Sequence, residues 1–152
     1  MADHAQTSET SHASAAGPLT ARPLELVVVT PEATVLDRQV NFVALPLDDG
    51  EIGIAPGRAP MIGRLGFGEL RLERGGSGER YYVDGGFVQV AGNVVSVLTN
   101  RAVPAAAIDA GVAAEQLAAA RARKATSAEL LDLRERLEQQ ARAQIRVAAR
   151  KR

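Results

Sequence analysis

An all-β body followed by a pair of helices is the fold class that this sequence predicts, on three observations. Between residues 23 and 103, short apolar runs recur with Gly, Pro, Asn or Asp between them, the pattern of strands joined by tight turns. After Pro104 the composition shifts to Ala, Leu, Glu, Gln and Arg, all good helix formers. Two helix-start signals punctuate that second region, Asp109 and the run TSAE at 126–129.

Residues 1–22 are rich in Ala, Ser, Thr and His and nearly devoid of large apolar side chains. Such a segment buries too little surface to offset its ordering entropy, so a disordered tail is expected. Both histidines, His4 and His12, lie in it and are read as solvated residues rather than as a weak metal site.

The expected strands follow in order. LELVVV (24–29) stops at Thr30-Pro31, TVLD (34–37) is short, and VNFVAL (40–45) ends before Pro46. DDG (48–50) is a turn signal. ELRLER (69–74) alternates strictly, with Leu70 and Leu72 on one face and Glu69, Arg71 and Glu73 on the other, as in a strand buried on one side. GGSG (75–78) reads as a hairpin loop and RYYV (80–83) as its return strand. Gly85-Gly86 is expected to supply a positive-φ turn before FVQV (87–90), and AGN (91–93) then leads into VVSVL (94–98). Many short strands at such spacing indicate an antiparallel sandwich or barrel.

The helical part divides in two. Asp109 is the expected N-cap of a helix over roughly 110–124. Thr126 and Glu129 fit a capping box that starts a second helix, running to about residue 149. Leu130, Leu133, Leu137, Ala141, Ile145 and Ala148 form one narrow apolar stripe on it. Arg134, Glu138, Arg142, Arg146 and Arg150 step by four along a neighbouring ridge. The first helix is mostly alanine, with Val112 and Leu117 as its larger apolar residues. Two helices that share so few large side chains should dock marginally and reversibly.

Charge and composition exclude several function classes. The 18 basic and 18 acidic residues balance, unlike a typical nucleic-acid binder. From Arg121 onward there are ten Lys/Arg and four Asp/Glu, so the rest is net acidic. No cysteine is present, which removes disulfides, thiolate metal sites and cysteine nucleophiles. No apolar stretch is long enough to span a bilayer, and the first residues show neither a secretory signal nor a transit-peptide pattern. The region expected to fold contains no histidine, so Ser77 and Ser96 have no basic partner for nucleophilic catalysis. DDGE (48–51) lacks the ligand spacing of a calcium loop. GIAPGRAP (53–60) lacks the Gly-Lys-Ser/Thr of a phosphate loop. No catalytic residue, metal site or cofactor is therefore expected. The arginine ridge admits three readings: a solvated face, a nucleic-acid contact, or a surface for an acidic protein partner.

GEIGIAPGRAP (50–60), LELVVVTPEATVLD (24–37) and YYVDGGFVQVAGNVVSVLTNRA (81–102), with LAAARA (117–122) and RAQIRVA (142–148), together resemble the epsilon subunit of F-type ATP synthases. The resemblance covers residues 23–149 and implies a sandwich of about ten short antiparallel strands followed by a C-terminal two-helix antiparallel hairpin. It divides the chain into a tail (1–22), a β-sandwich domain (23–104) and a helical hairpin domain (105–152). It implies a non-catalytic rotor subunit of the central stalk, bound to the gamma subunit and resting on the membrane-embedded c-ring. No nucleic acid is expected as a partner, and the membrane is reached only through the ring. A place at the cytoplasmic face of a bacterial inner membrane follows from the same likeness. Glu51 and Arg58 take the position of ring contacts. The extended C-terminal helices of that family meet acidic segments of the catalytic beta subunits and inhibit ATP hydrolysis. By the same likeness, Arg134, Arg142, Arg146 and Arg150 are the residues expected to make that contact. Some family members bind ATP through an Ile/Leu-Asp-x-x-Arg-Ala motif. Here Leu117, Arg121 and Ala122 match it, but Ala118 replaces the Asp, so ATP binding is expected to be weak or absent.

Overall fold

The computed structural model describes residues 22–150. The predicted tail, with both histidines, lies outside the described residues but for Arg22. Eight strands are present: β1 (Leu24–Val29), β2 (Thr34–Val40), β3 (Phe42–Leu47), β4 (Gly50–Ile54), β5 (Met61–Arg74), β6 (Ser77–Ala91), β7 (Val94–Leu98) and β8 (Ala102–Pro104). A 3-10 turn at Ala105–Ala107 leads to helices α1 (Ala110–Ala122) and α2 (Ala128–Ala149).

The strands run β2-β1-β7-β6-β5-β3-β4, with β8 added to the free part of β6 beyond β7. All pairs are antiparallel except β1 with β7. This path curls back on itself. Arg38 on β2 reaches Glu79 on β6, three places away in the sheet order, at 2.6 Å. Leu24, Leu26, Val28 and Leu36 from one end share a single core with Leu45, Ile54, Leu70 and Leu72 from the other. That burial of one face of every strand is what makes the body a β-sandwich.

The strand count is eight rather than about ten, in part because β6 runs through Gly85-Gly86, where the sequence suggested a turn, and β5 begins at Met61, well ahead of ELRLER. RYYV and FVQV belong to one strand, β6, and ELRLER is only the second half of β5. Gly85 and Gly86 do have positive φ, +68° and +107°, but no turn forms there. Instead the inward-facing parity flips: Tyr81 and Val83 point into the core before the glycines, Val88 and Val90 after them. β5 flips opposite, from Leu65 to Leu70 and Leu72, with Gly66 and Gly68 between. The paired glycine kink passes the ribbon from one layer to the other while the ladder register is kept. Pro46 also lies inside a strand. It is accommodated because the β3–β5 register is irregular between Ala44 and Leu47, where a missing N–H costs no ladder bond.

Both helices start close to the predicted places. Asp109 Oδ1 accepts from the N–H of Gly111 at 2.8 Å and of Val112 at 3.2 Å. The second cap is shifted by one residue: Ser127, not Thr126, is the N-cap, and its Oγ accepts from Leu130 N–H at 3.2 Å. Glu129 then falls at the wrong position to close a capping box. On the predicted stripe Ala141 is buried, Leu133, Leu137, Ile145 and Ala148 are half-buried, and Leu130 stays exposed. A second face of α2 that the stripe did not reveal, built on Gln140, Ala143 and Val147, lies against the sandwich.

Candidate functional site

The seam between α2 and the sandwich is built on the outer face of β6. Arg80, Tyr82 and Asp84 alternate with the inward Tyr81 and Val83, so all three face the helix. Tyr82 is fully buried in a small cluster with Ala143 and Val147, flanked by Phe67, Val103, Ala105 and Ile108. This cluster is separate from the main core, which contains no residue of either helix. The Tyr82 hydroxyl donates to Asp84 Oδ1 at 3.2 Å, and Gln140 Nε2 donates to the same oxygen at 2.9 Å. At the end of α2, Arg80 donates to the carbonyls of Val147 (2.9 Å) and Arg150 (2.6 Å) and pairs with Glu69, which also takes Arg150 at 3.2 Å.

Burial pushes the Tyr82 phenol well above its ordinary value, and the Asp84 carboxylate adds to the shift. Tyr81 is raised as well, chiefly by burial, while its hydroxyl, and after it Arg38, holds the Glu79 carboxyl below the usual carboxylate range. A phenol whose folded pKa is raised contributes stability that is complete below its unfolded pKa of about 10 and is lost as pH rises through the folded value. Tyrosinate absorbance followed through an alkaline titration should therefore show neither of the two tyrosines ionising at the ordinary value. The helix seam should loosen only at pH above ~10; a tyrosine titrating normally in the folded chain would contradict the buried seam.

Glu51 and Arg58 are placed at opposite ends of β4. Glu51 lies beside the 48–49 turn and pairs with Arg71 at 2.6 Å. Arg58 is exposed and closes a turn over 55–58, its N–H donating to Ala55 O at 3.3 Å. Pro56 and the positive φ of Gly57 (+87°) suit a type II turn. That turn is pinned by Asn93, a buried residue with left-handed backbone (φ 63°), whose Oδ1 accepts from Gly57 N–H at 2.8 Å. Sequence reading missed Asn93 as an anchor, although Asn after Gly between two strands was the available signal.

The arginine ridge is divided. Arg134 and Arg142 flank Glu138 within the helix, at 4.0 and 3.3 Å. Arg150 is committed to Glu69 on the body. Arg146 is exposed and makes no ion pair among the described residues. Arg121 is exposed near the end of α1. A second frame of the ATP motif, Ile108-Asp109 to Ala113, has Val112 in the Arg position, and its carboxylate is occupied as the helix cap. No group of three His, Cys, Asp or Glu that could hold a metal exists among the described residues.

A further feature was not foreseen. Ile62, Phe87 and Leu98 are 76, 50 and 56% exposed on one outer face of β5, β6 and β7. Phe87 sits opposite Leu98 on one side and Arg64 on the other, with the Arg64 guanidinium 5.8 Å from its ring centre. An apolar face of this kind on a strand whose other face is core marks a contact surface.

A stiff sandwich with an uncovered apolar face, a pinned edge turn and a docked helical arm defines a protein that works by binding other proteins. The profile of the ATP synthase delta/epsilon chain β-sandwich domain matches residues 23–105. An ATP synthase epsilon chain of Rhodopirellula baltica is 49% identical over 82% of this chain and 98% of its own length. Another, from Granulibacter bethesdensis, is 42% identical over 66% of this chain and 76% of its own. Among solved structures, a chain in the Euglena gracilis mitochondrial ATP synthase OSCP/F1/c-ring assembly superposes with a TM-score of 0.74, at 25% identity, covering 88% of this chain and 84% of that one. A chain of the Tetrahymena thermophila mitochondrial ATP synthase central stalk and c-ring shares the fold, with a TM-score of 0.68 at 13% identity, over 84% of this chain and 98% of that one. The chain belongs to the ATP synthase epsilon-chain family.

Proposed function

We propose that this chain couples the gamma subunit to the c-ring in the central stalk of a proton-translocating F-type ATP synthase, and that its C-terminal helices restrain ATP hydrolysis. The observation that carries the reading is the separation of the two apolar clusters. The sandwich holds its own core, so α1 and α2 can leave it without unfolding it. The outer face around Ile62, Phe87 and Leu98 is the proposed seat for gamma. The ring contact runs along the open edge of β4, from Glu51 near its start to Arg58 in the turn beyond its end. In the extended arm, Arg150 is released from Glu69 and joins Arg134, Arg142 and Arg146 as a cationic face for acidic segments of the beta subunits. Among the described residues no helix is long and apolar enough to cross a membrane. The proposed location is peripheral, on the cytoplasmic face of a bacterial inner membrane, reached through the ring.

Two measurements test this. The chain should co-purify with gamma and the ring, and a complex carrying the chain without residues 105–152 should hydrolyse ATP faster than the intact complex. An unchanged hydrolysis rate would leave a coupling subunit with no inhibitory arm. Isothermal titration of the free chain with ATP should give no saturable binding, since each frame of the motif lacks one charged member; affinity of ~1 μM would refute that.

A further inference from the structure

We propose that Arg80 and Glu69 form the latch that holds α2 on the sandwich, by capping the helix with a side chain from the sheet. The inference rests on the reading in which the arm can leave the body, and it names what keeps it there.

The last carbonyls of any α-helix lack intrahelical partners, and many helices satisfy them with a glycine just beyond the end. α2 has no such glycine: Arg150 is its C-cap, with φ −75°. Its end carbonyls turn instead to Arg80, which lies on β6, twenty-five positions before the hairpin domain begins at residue 105. A guanidinium spreads its donors along a planar fork, which the single nitrogen of a lysine cannot do. Nη1 serves Arg150 O, Nη2 serves Val147 O, and Nε serves Glu69 Oε2 at 2.8 Å. The cation also sits at the negative end of the helix dipole. Glu69 keeps only 9% of its side chain exposed and Arg80 17%, so each charge depends on the other for compensation. Glu69 is held from a second side by Arg71 at 3.8 Å, and Arg71 in turn holds Glu51. A chain of four charges thus joins the edge strand to the end of the arm, with Arg80 as its last link. By comparison, Gln140 to Asp84 and Arg150 to Glu69 are each single bonds between α2 and the body.

The test is hydrogen exchange on the full chain, comparing Arg80→Ala with the original. Amides of the last turns of α2 should exchange at least ~10-fold faster, while the β1–β7 ladder keeps its protection. Arg142→Ala, whose residue pairs with Glu138 on the same helix, should change neither region. Arg80→Lys, which keeps the charge but not the fork, should fall between the two and serves if Arg80→Ala does not fold. Unchanged exchange at the end of α2 in Arg80→Ala overturns the latch, as does faster exchange spread equally over the sandwich. In the assembled complex a weakened latch should lower ATP hydrolysis. If exchange rises and hydrolysis does not fall, the latch stands and the inhibitory reading fails.

Discussion

Replacing Gly86 with alanine should destabilise the sandwich by about 4 kcal/mol or more, a loss comparable to the whole stability of many domains. The residue has φ +107°, where an L side chain is strained. The added Cβ would also lie 1.8 Å from the carbonyl oxygen of Leu98 and 3.0 Å from the Cα of Thr99. Both are backbone atoms, so no rotamer change relieves the clash. Relief requires moving the end of β7, and that segment is tied on two sides. Thr99 N–H donates to Val29 O at 3.0 Å, and Thr99 Oγ1 accepts from Asp84 N–H at 3.0 Å. Gly92→Ala is the control. Its φ is +57°, but nothing lies within 4 Å of the new Cβ, so only the backbone strain of about 1–2 kcal/mol remains. Urea denaturation of the two variants should separate them clearly. Equal midpoints would mean that the glycine kink is not tightly held.

Tyr82→Ala should cost about 3–5 kcal/mol, yet spare the main core. Tyr82 is the largest fully buried side chain, and it lies wholly in the cluster that joins α2 to the body. Its removal takes away the ring on which Ala143 and Val147 rest and leaves Asp84 Oδ1 with the Gln140 amide as its donor. The expected result is two transitions in denaturant. The helical circular-dichroism signal should fall first, because a short helical hairpin without tertiary contacts is marginal in water. The β-signal should persist to near the original midpoint. Tyr82→Phe keeps the ring and loses only a hydrogen bond, about 1 kcal/mol. A single cooperative transition carrying both signals in Tyr82→Ala would show that helices and sandwich are one folding unit.

Much of this architecture was legible in the residues, and the failures have a common cause. ELRLER alternated cleanly because one of its faces is core and the other is wet or under α2. Asp109 was recognisable because an N-cap acts within a few residues of itself. The continuity of β5 and β6 was hidden because glycines that mark turns elsewhere here let two strands bend together, and local composition cannot distinguish the two. The face of α2 formed by Ala143 and Val147 was obscured because small residues carry a weak periodic signal beside leucine. Glu51 and Arg58 were noticed in one short run of sequence, but that a strand and then a turn stand between them is a matter of the fold.

What the amino-acid order determined by itself was the division into a β-body and two helices, the helix starts, and a chain without cysteine. These depend on period, on caps and on residue identity, which act over a few neighbouring positions. What only the tertiary structure decided was the company each charge keeps. Arg150 spends its charge on Glu69, eighty-one positions away, Arg80 closes a helix to which it does not belong, and Asn93 anchors the turn that carries Arg58. Such contacts join segments that the fold alone brings together, so no local pattern announces them.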